Sequence, residues 1–425
     1  MNYTALSLQQ TPPLSVPLRF MLSAPLFGML AALLMLYSGP EIFLHRWQPP
    51  LLALTHLLTL GFLAMVMFGA MFQLLPVLMG TVLPHPTLVS GMTHALLSLG
   101  TLSMVWAWLA EMPDLFQLSG LLLGLGFVLF IGLVGLFLLR SPSRHITRYM
   151  MIMALLALTG TLLLGLWMLL GLGGLISSMP HRWVDLHLGW GLGGWVLLLV
   201  MGVSYQVIPM FQITREYPHW HKRWIGVGIF IAGLLLGVLQ GFYEQAYDYS
   251  AYLLWAGLVF IYALVTMQLL KQRRRKLPDV TLRFWWLSMA SLLLVTVLLV
   301  LPLSSNYHIS IISLFIVGFA MSAVNGMLYK IVPFLIWLHL NSRLQQSGRA
   351  QSGVPNMRQI IAVHHGHRQF LLHLLSLLFL LASATGSSST YYPAALLFLL
   401  SQLYLFSNLL SAYRLYLRLA SPNDT

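Results

Sequence analysis

GFLAMVMFGAMFQLLP, Gly61 to Pro76, returns twice in altered form: as GWVLLLVMGVSYQVIP, Gly194 to Pro209, and as GFAMSAVNGMLYKIVP, Gly318 to Pro333. All three obey G-[FW]-x6-G-x3-[QK]-x2-P without a gap, and their prolines stand 133 and 124 residues apart. Self-similarity at a regular spacing marks a repeated structural unit. Each copy lies in a long apolar run, so the unit is a group of membrane-crossing helices. In such helices glycine lets neighbouring backbones approach closely. The proline near the end of each copy frees a main-chain carbonyl, and Gln73, Gln206 or Lys330 stands about one turn earlier, where it can satisfy such a group. The competing explanation is that Gly and Pro are simply frequent in membrane helices.

The whole chain shares this character. Of its 425 residues 59% are hydrophobic and 7% are charged, against about 25% charged in a soluble chain. A water-soluble globule, a disordered chain and a nucleic-acid binder are thereby excluded. Cysteine is absent, so disulfides and thiolate ligands are excluded too. At about 20 residues per span, twelve spans are expected, roughly 20–38, 51–79, 89–110, 115–139, 149–173, 184–212, 224–243, 251–270, 284–303, 308–338, 369–386 and 392–413. The motif falls on the second, sixth and tenth. The expected fold is an all-α integral membrane protein of twelve transmembrane helices in three pseudo-symmetric four-helix repeats, about 20–139, 149–270 and 284–413. Residues 1–19 form a cytoplasmic N-terminal segment without the pattern of a cleaved signal peptide, 20–413 a single membrane domain and 414–425 a cytoplasmic tail.

The net charge of +13 reads as topology rather than as affinity for nucleic acid. Under the positive-inside rule, all of the 22 Lys and Arg except Arg46 and Arg182 fall on one side. They cluster as Arg140, Arg144 and Arg148; Arg215, Lys222 and Arg223; Lys271 to Lys276; and Arg343, Arg349 and Arg358. Glu41, Glu111, Asp114, Asp185, Glu244 and Asp248 fall on the other. Both termini are therefore expected in the cytoplasm, in a bacterial-type inner membrane. The KQRRRK run can also touch anionic lipid.

Three histidines lie toward the outer ends of the motif-bearing spans: His56, His187 and His308, at 5, 7 and 10 residues before the first motif glycine. At 1.5 Å per residue they differ in depth by up to about 7 Å, which makes a rough layer. Imidazole is a common ligand of heme iron and of copper. The alternative for each is a buried polar side chain bonded to a neighbouring helix, or an interfacial cap for His308. His364, His365 and His367, followed by His373, form a second cluster at the cytoplasmic start of the eleventh span. Such tracts bind metal, or else are a polar helix start. His145, His219 and His221 read as interfacial. No Asp or Glu lies well inside a span, and Lys330 sits close enough to the cytoplasmic end to snorkel. A proton pump, which relies on intramembrane ionisable groups, is disfavoured.

Twelve spans, internal termini and three four-helix repeats resemble the heme-copper oxidase subunit I superfamily. The resemblance covers most of the chain as architecture and is most specific in the second span, where His56 precedes FGAMFQLLPVLMG, residues 68–80. This looks like the family's second helix, whose histidine ligates a low-spin heme. The tenth span resembles the family's tenth helix in its glycine spacing and proline ending. Three departures stand against a full oxidase. The tenth span offers His308, Ile309 and Ser310 where the family has H-x-H. The seventh span lacks the family's adjacent copper-binding histidines. Gly191, not Tyr, stands one turn after His187. The pattern is closer to divergent NnrS-type relatives, heme- and copper-containing membrane proteins connected with nitric oxide stress.

The resemblance implies a b-type heme held by His56, His187 or His308, with copper as a further candidate. It also implies redox chemistry or a nitric oxide or oxygen response, and an electron-donor or oxidase-type partner subunit beside the lipid bilayer. The alternative is a cofactor-free descendant of the fold, acting as a transporter or as an assembly or interaction partner. Whether the chain is an enzyme is left open by its residues.

Overall fold

The computed structural model describes residues 11–79, 84–141, 145–177, 180–242, 249–274, 277, 279–302, 307–346 and 354–420. The charged residues Arg144, Glu244, Asp248, Arg275, Lys276 and Arg349 lie outside the described residues. Within them the long helices are α1 Ser15–Ser38, α2 Pro49–Val77, α3 Pro86–Ala110, α4 Pro113–Arg140, α5 Ile146–Leu172 and α6 Arg182–Gln212. They continue as α7 His219–Phe242, α8 Tyr249–Lys271, α9 Val280–Val300, α10 His308–Arg343, α11 Val363–Ala384 and α12 Tyr391–Ala420. Several starts follow directly from sequence: Pro at the first position of α3 and α4 costs no hydrogen bond there, and Asp279 caps α9 by accepting from the Thr281 amide.

Among the described residues eleven helices are long and apolar enough to cross a membrane, and α7 is the one outside that count. The chain is a multi-pass, all-α membrane protein. The three motif helices are the most enclosed of the eleven. The apolar windows of α2, α6 and α10 are 67%, 61% and 89% buried, and no other exceeds 56%. The reason lies in the glycines. A Cβ on Gly61, Gly194 or Gly318 would stand 2.5–2.7 Å from the side chains of Phe27, Ala157 and Ser291. A Cβ on Gly69, Gly202 or Gly326 would stand 2.5–2.8 Å from Phe20, Met150 and Phe284. Each motif helix is thus pressed against the helix before it, α1, α5 or α9, through two contacts. The partner residues are spaced seven apart in every case. Thr147 Oγ1 donates to Gly202 O at 3.2 Å and Thr281 Oγ1 to Gly326 O at 2.9 Å, so the same threonine position ties two of the three pairs.

One feature of these helices has no sequence signal. Each contains a π-helical stretch beginning four or five residues before its first motif glycine: Leu57–Ala64, Gly189–Val196 and Leu314–Met321. In α10 the widened turn leaves the Val317 carbonyl available. Ser322 Oγ donates to it at 3.3 Å and His373 Nε2 lies 3.2 Å away. This is the repair expected where a backbone group is released inside a bilayer. It assigns His373, fully buried on α11, a structural task.

Lys330 pairs at 2.6 Å with Asp279, the cap that precedes α9. Burial pushes the Asp279 carboxyl up, but the Lys330 ammonium and the Thr281 amide together hold it below its usual range. Gln73, at the equivalent motif position, has its Oε1 buried without a partner. The role expected for Gln and Lys beside a proline-freed carbonyl is therefore not what Lys330 performs.

Candidate metal centre at the N-terminal ends of the inner helices

His56 and His187 come together. Their ring centroids are 6.5 Å apart, with the planes tilted by 36°. His56 precedes the π-helical stretch of α2 by one residue, and His187 precedes that of α6 by two. Their helices meet again deeper in the bundle, where Phe68 lies edge-on to Trp195 at 6.2 Å. Above the pair, Arg46 and Asp185 form an ion pair at 2.5 Å. These charges precede the two histidines in sequence.

The hydrogen bonds define the chemistry of both rings. His56 Nδ1 lies 2.8 Å from Leu52 O, and His187 Nδ1 lies 3.0 Å from Thr161 O. A carbonyl only accepts, so each Nδ1 carries the hydrogen and each Nε2 the lone pair. Neither Nε2 has a hydrogen bond to a described residue. Backbone-anchored imidazoles with a free Nε2 are the usual arrangement of metal-binding histidines. Two imidazoles on opposite sides of one ion, at about 2.0–2.1 Å per bond, place their centroids about 6.3 Å apart. The observed 6.5 Å is close to that separation, so His56 and His187 are the residues that would hold iron or copper here. The bare ion needs no further space. A heme needs a macrocycle between the rings, and the two cavities of this region, about 380 and 120 Å³, are lined by neither His56 nor His187.

The other expected ligands lie elsewhere. His308 is exposed at the start of α10 and lines the larger cavity. His364 and His365 stack at 4.2 Å, with His365 Nδ1 bonded to Tyr404 OH at 2.9 Å, and His367 Nδ1 is buried without a partner. Among the described residues no three His, Asp or Glu side chains converge.

Two histidines had weaker signals. His94, in α3, bonds Ser23 Oγ through Nε2 at 2.7 Å and meets Phe20 edge-on. Its place inside an apolar span was the available clue. His221, expected at the interface, is fully buried. It bonds Tyr205 OH at 3.2 Å beside Tyr217 and Tyr262. The aromatic neighbours that enclose it come from α6, α8 and the stretch between α6 and α7, which spacing along one helix could not reveal.

No protein-family model matches the sequence, and no curated protein matches it.

Proposed function

We propose that this chain is a redox-active membrane metalloprotein of the heme-copper oxidase type, holding heme iron or copper between His56 and His187. The reading includes twelve transmembrane helices in three four-helix repeats around α2, α6 and α10, with both termini cytoplasmic. What supports the repeats is the recurrence of the same two glycine contacts and one π-helical stretch on each inner helix. The single observation that carries the metal centre is the close pair of imidazoles, with centroids 6.5 Å apart and each Nδ1 hydrogen committed to a carbonyl. A redox metal held there would supply reversible one-electron chemistry. The protein orients the two nitrogens, and the Arg46–Asp185 pair sets the local field. A role in nitric oxide or oxygen response, with an electron-donor or oxidase-type subunit, belongs to the same proposal.

One observation favours the alternative, a cofactor-free transporter or assembly partner: two imidazoles without a third converging ligand among the described residues. The purified full-length protein decides. A Soret band with about one heme per chain, or about one copper per chain without heme, supports the proposal and names the metal. A colourless protein that binds neither supports the alternative.

A further inference from the structure

A cavity of about 380 Å³ opens between the outer parts of α6 and α10, with α7, α8 and α9 completing its wall. Small-molecule sites have volumes of about 300–1,000 Å³. Neither His56 nor His187 lines it, so a ligand of this cavity is distinct from the metal between them, although both sites adjoin the Arg46–Asp185 pair.

Its shape favours a ring over a chain. Gly189 and Gly233 both line it, and nothing lies within 4 Å of where a Cβ on either would stand. The space therefore reaches the main chain on two sides. Trp190, Trp255, Phe230 and Phe315 supply aromatic walls, which prefer stacked or edge-on rings.

Its polar lining is Arg46, Asp185, Tyr252 and His308, against a mostly apolar wall. Arg46 and Asp185 line the cavity but neutralise each other in their ion pair. A ligand with an ionised head would have to break that pair, whereas a neutral one would not. Access comes from the side. Leu234 of α7 and Leu299 of α9 line the cavity and remain 36% and 38% exposed.

We infer that this cavity binds a neutral, bilayer-soluble aromatic ring compound. The compound enters between the helices from the hydrocarbon.

The test uses 2-acetylnaphthalene, a neutral fused ring with one carbonyl, in equilibrium dialysis against the detergent-solubilised full chain and a micelle blank. The expected result is saturable binding at about one per chain. Gly233→Phe fills open space without a clash and should weaken binding at least about tenfold. Trp255→Ala, which removes one aromatic wall, should weaken binding several-fold. If Gly233→Phe does not assemble, Leu299→Trp narrows the mouth and should give the same loss. Uptake equal to the micelle blank, indifference to the filling variants, or displacement of the probe by oleic acid at equal concentration would each overturn the inference. The last outcome would make the occupant a lipid acyl chain.

Discussion

His187 reaches across from α6 to within 6.5 Å of His56 on α2, and both rings are anchored through Nδ1 to carbonyls of their surroundings. The two anchors differ in kind. Leu52 O belongs to His56's own helix, one turn back. Thr161 O belongs to α5, so the orientation of His187 depends on how α5 and α6 pack.

With one ion held between the two rings, His56→Ala and His187→Ala each lower the metal-to-protein ratio at least about tenfold, as expected when one of two ligands is removed. Exposed His219→Ala leaves the ratio unchanged. Metal and heme content of purified proteins, with reduced-minus-oxidised spectra, check it; equal content in His56→Ala and wild type removes the pair from the site.

The glycine contacts predict an asymmetry among small substitutions. Gly202→Val puts a branched side chain where a Cβ already falls 2.5 Å from Met150 Cβ, and should cost about 3 kcal/mol or prevent assembly. Gly132→Ala, with nothing within 4 Å, should be neutral or stabilise by up to about 1 kcal/mol. Thermal unfolding in detergent compares them.

Asp279→Asn breaks a partly buried ion pair and should cost about 2–4 kcal/mol near neutral pH. The wild-type carboxyl is held below its usual value of 3.8. Its contribution is therefore complete above about pH 4 and is lost as pH falls through the lowered value. The gap in melting temperature between wild type and Asp279→Asn should close across that acid range and stay constant from about pH 5 to 8. A gap independent of pH down to about 2.5 contradicts the pairing.

Orientation is checked by reporter fusions after α3 and α4, expected outside and inside respectively under the positive-inside rule. The reverse result would place His56 and His187 at the cytoplasmic end.

The inner trio of helices could be read from the glycines because their cause is local. A missing Cβ permits close approach, and three gapless copies place that permission at equal positions. His56 and His187 were legible as candidates for a similar reason, as imidazoles near the ends of apolar runs. Their partnership was not. It depends on how the π-helical stretches re-aim each outer segment, and nothing in LLTLGFLA or GWGLGGWV distinguishes a π turn from an α turn. The Lys330–Asp279 pair escaped because its members are 51 residues apart on different helices. The burial of His221 escaped because three of the rings around it, Tyr205, Tyr217 and Tyr262, arrive from other segments.

A π turn accommodates one residue more than an α turn with almost no added length, and one residue corresponds to about 100° of rotation. Deleting a single residue within Leu57–Ala64 would swing His56 through roughly a quarter of a circle while leaving the Gly69–Phe20 contact in place. The outer third of each inner helix behaves as a dial set independently of its shaft. Single-residue insertions and deletions, ordinarily ruinous inside a membrane helix, become the natural steps by which such a protein exchanges one imidazole arrangement for another.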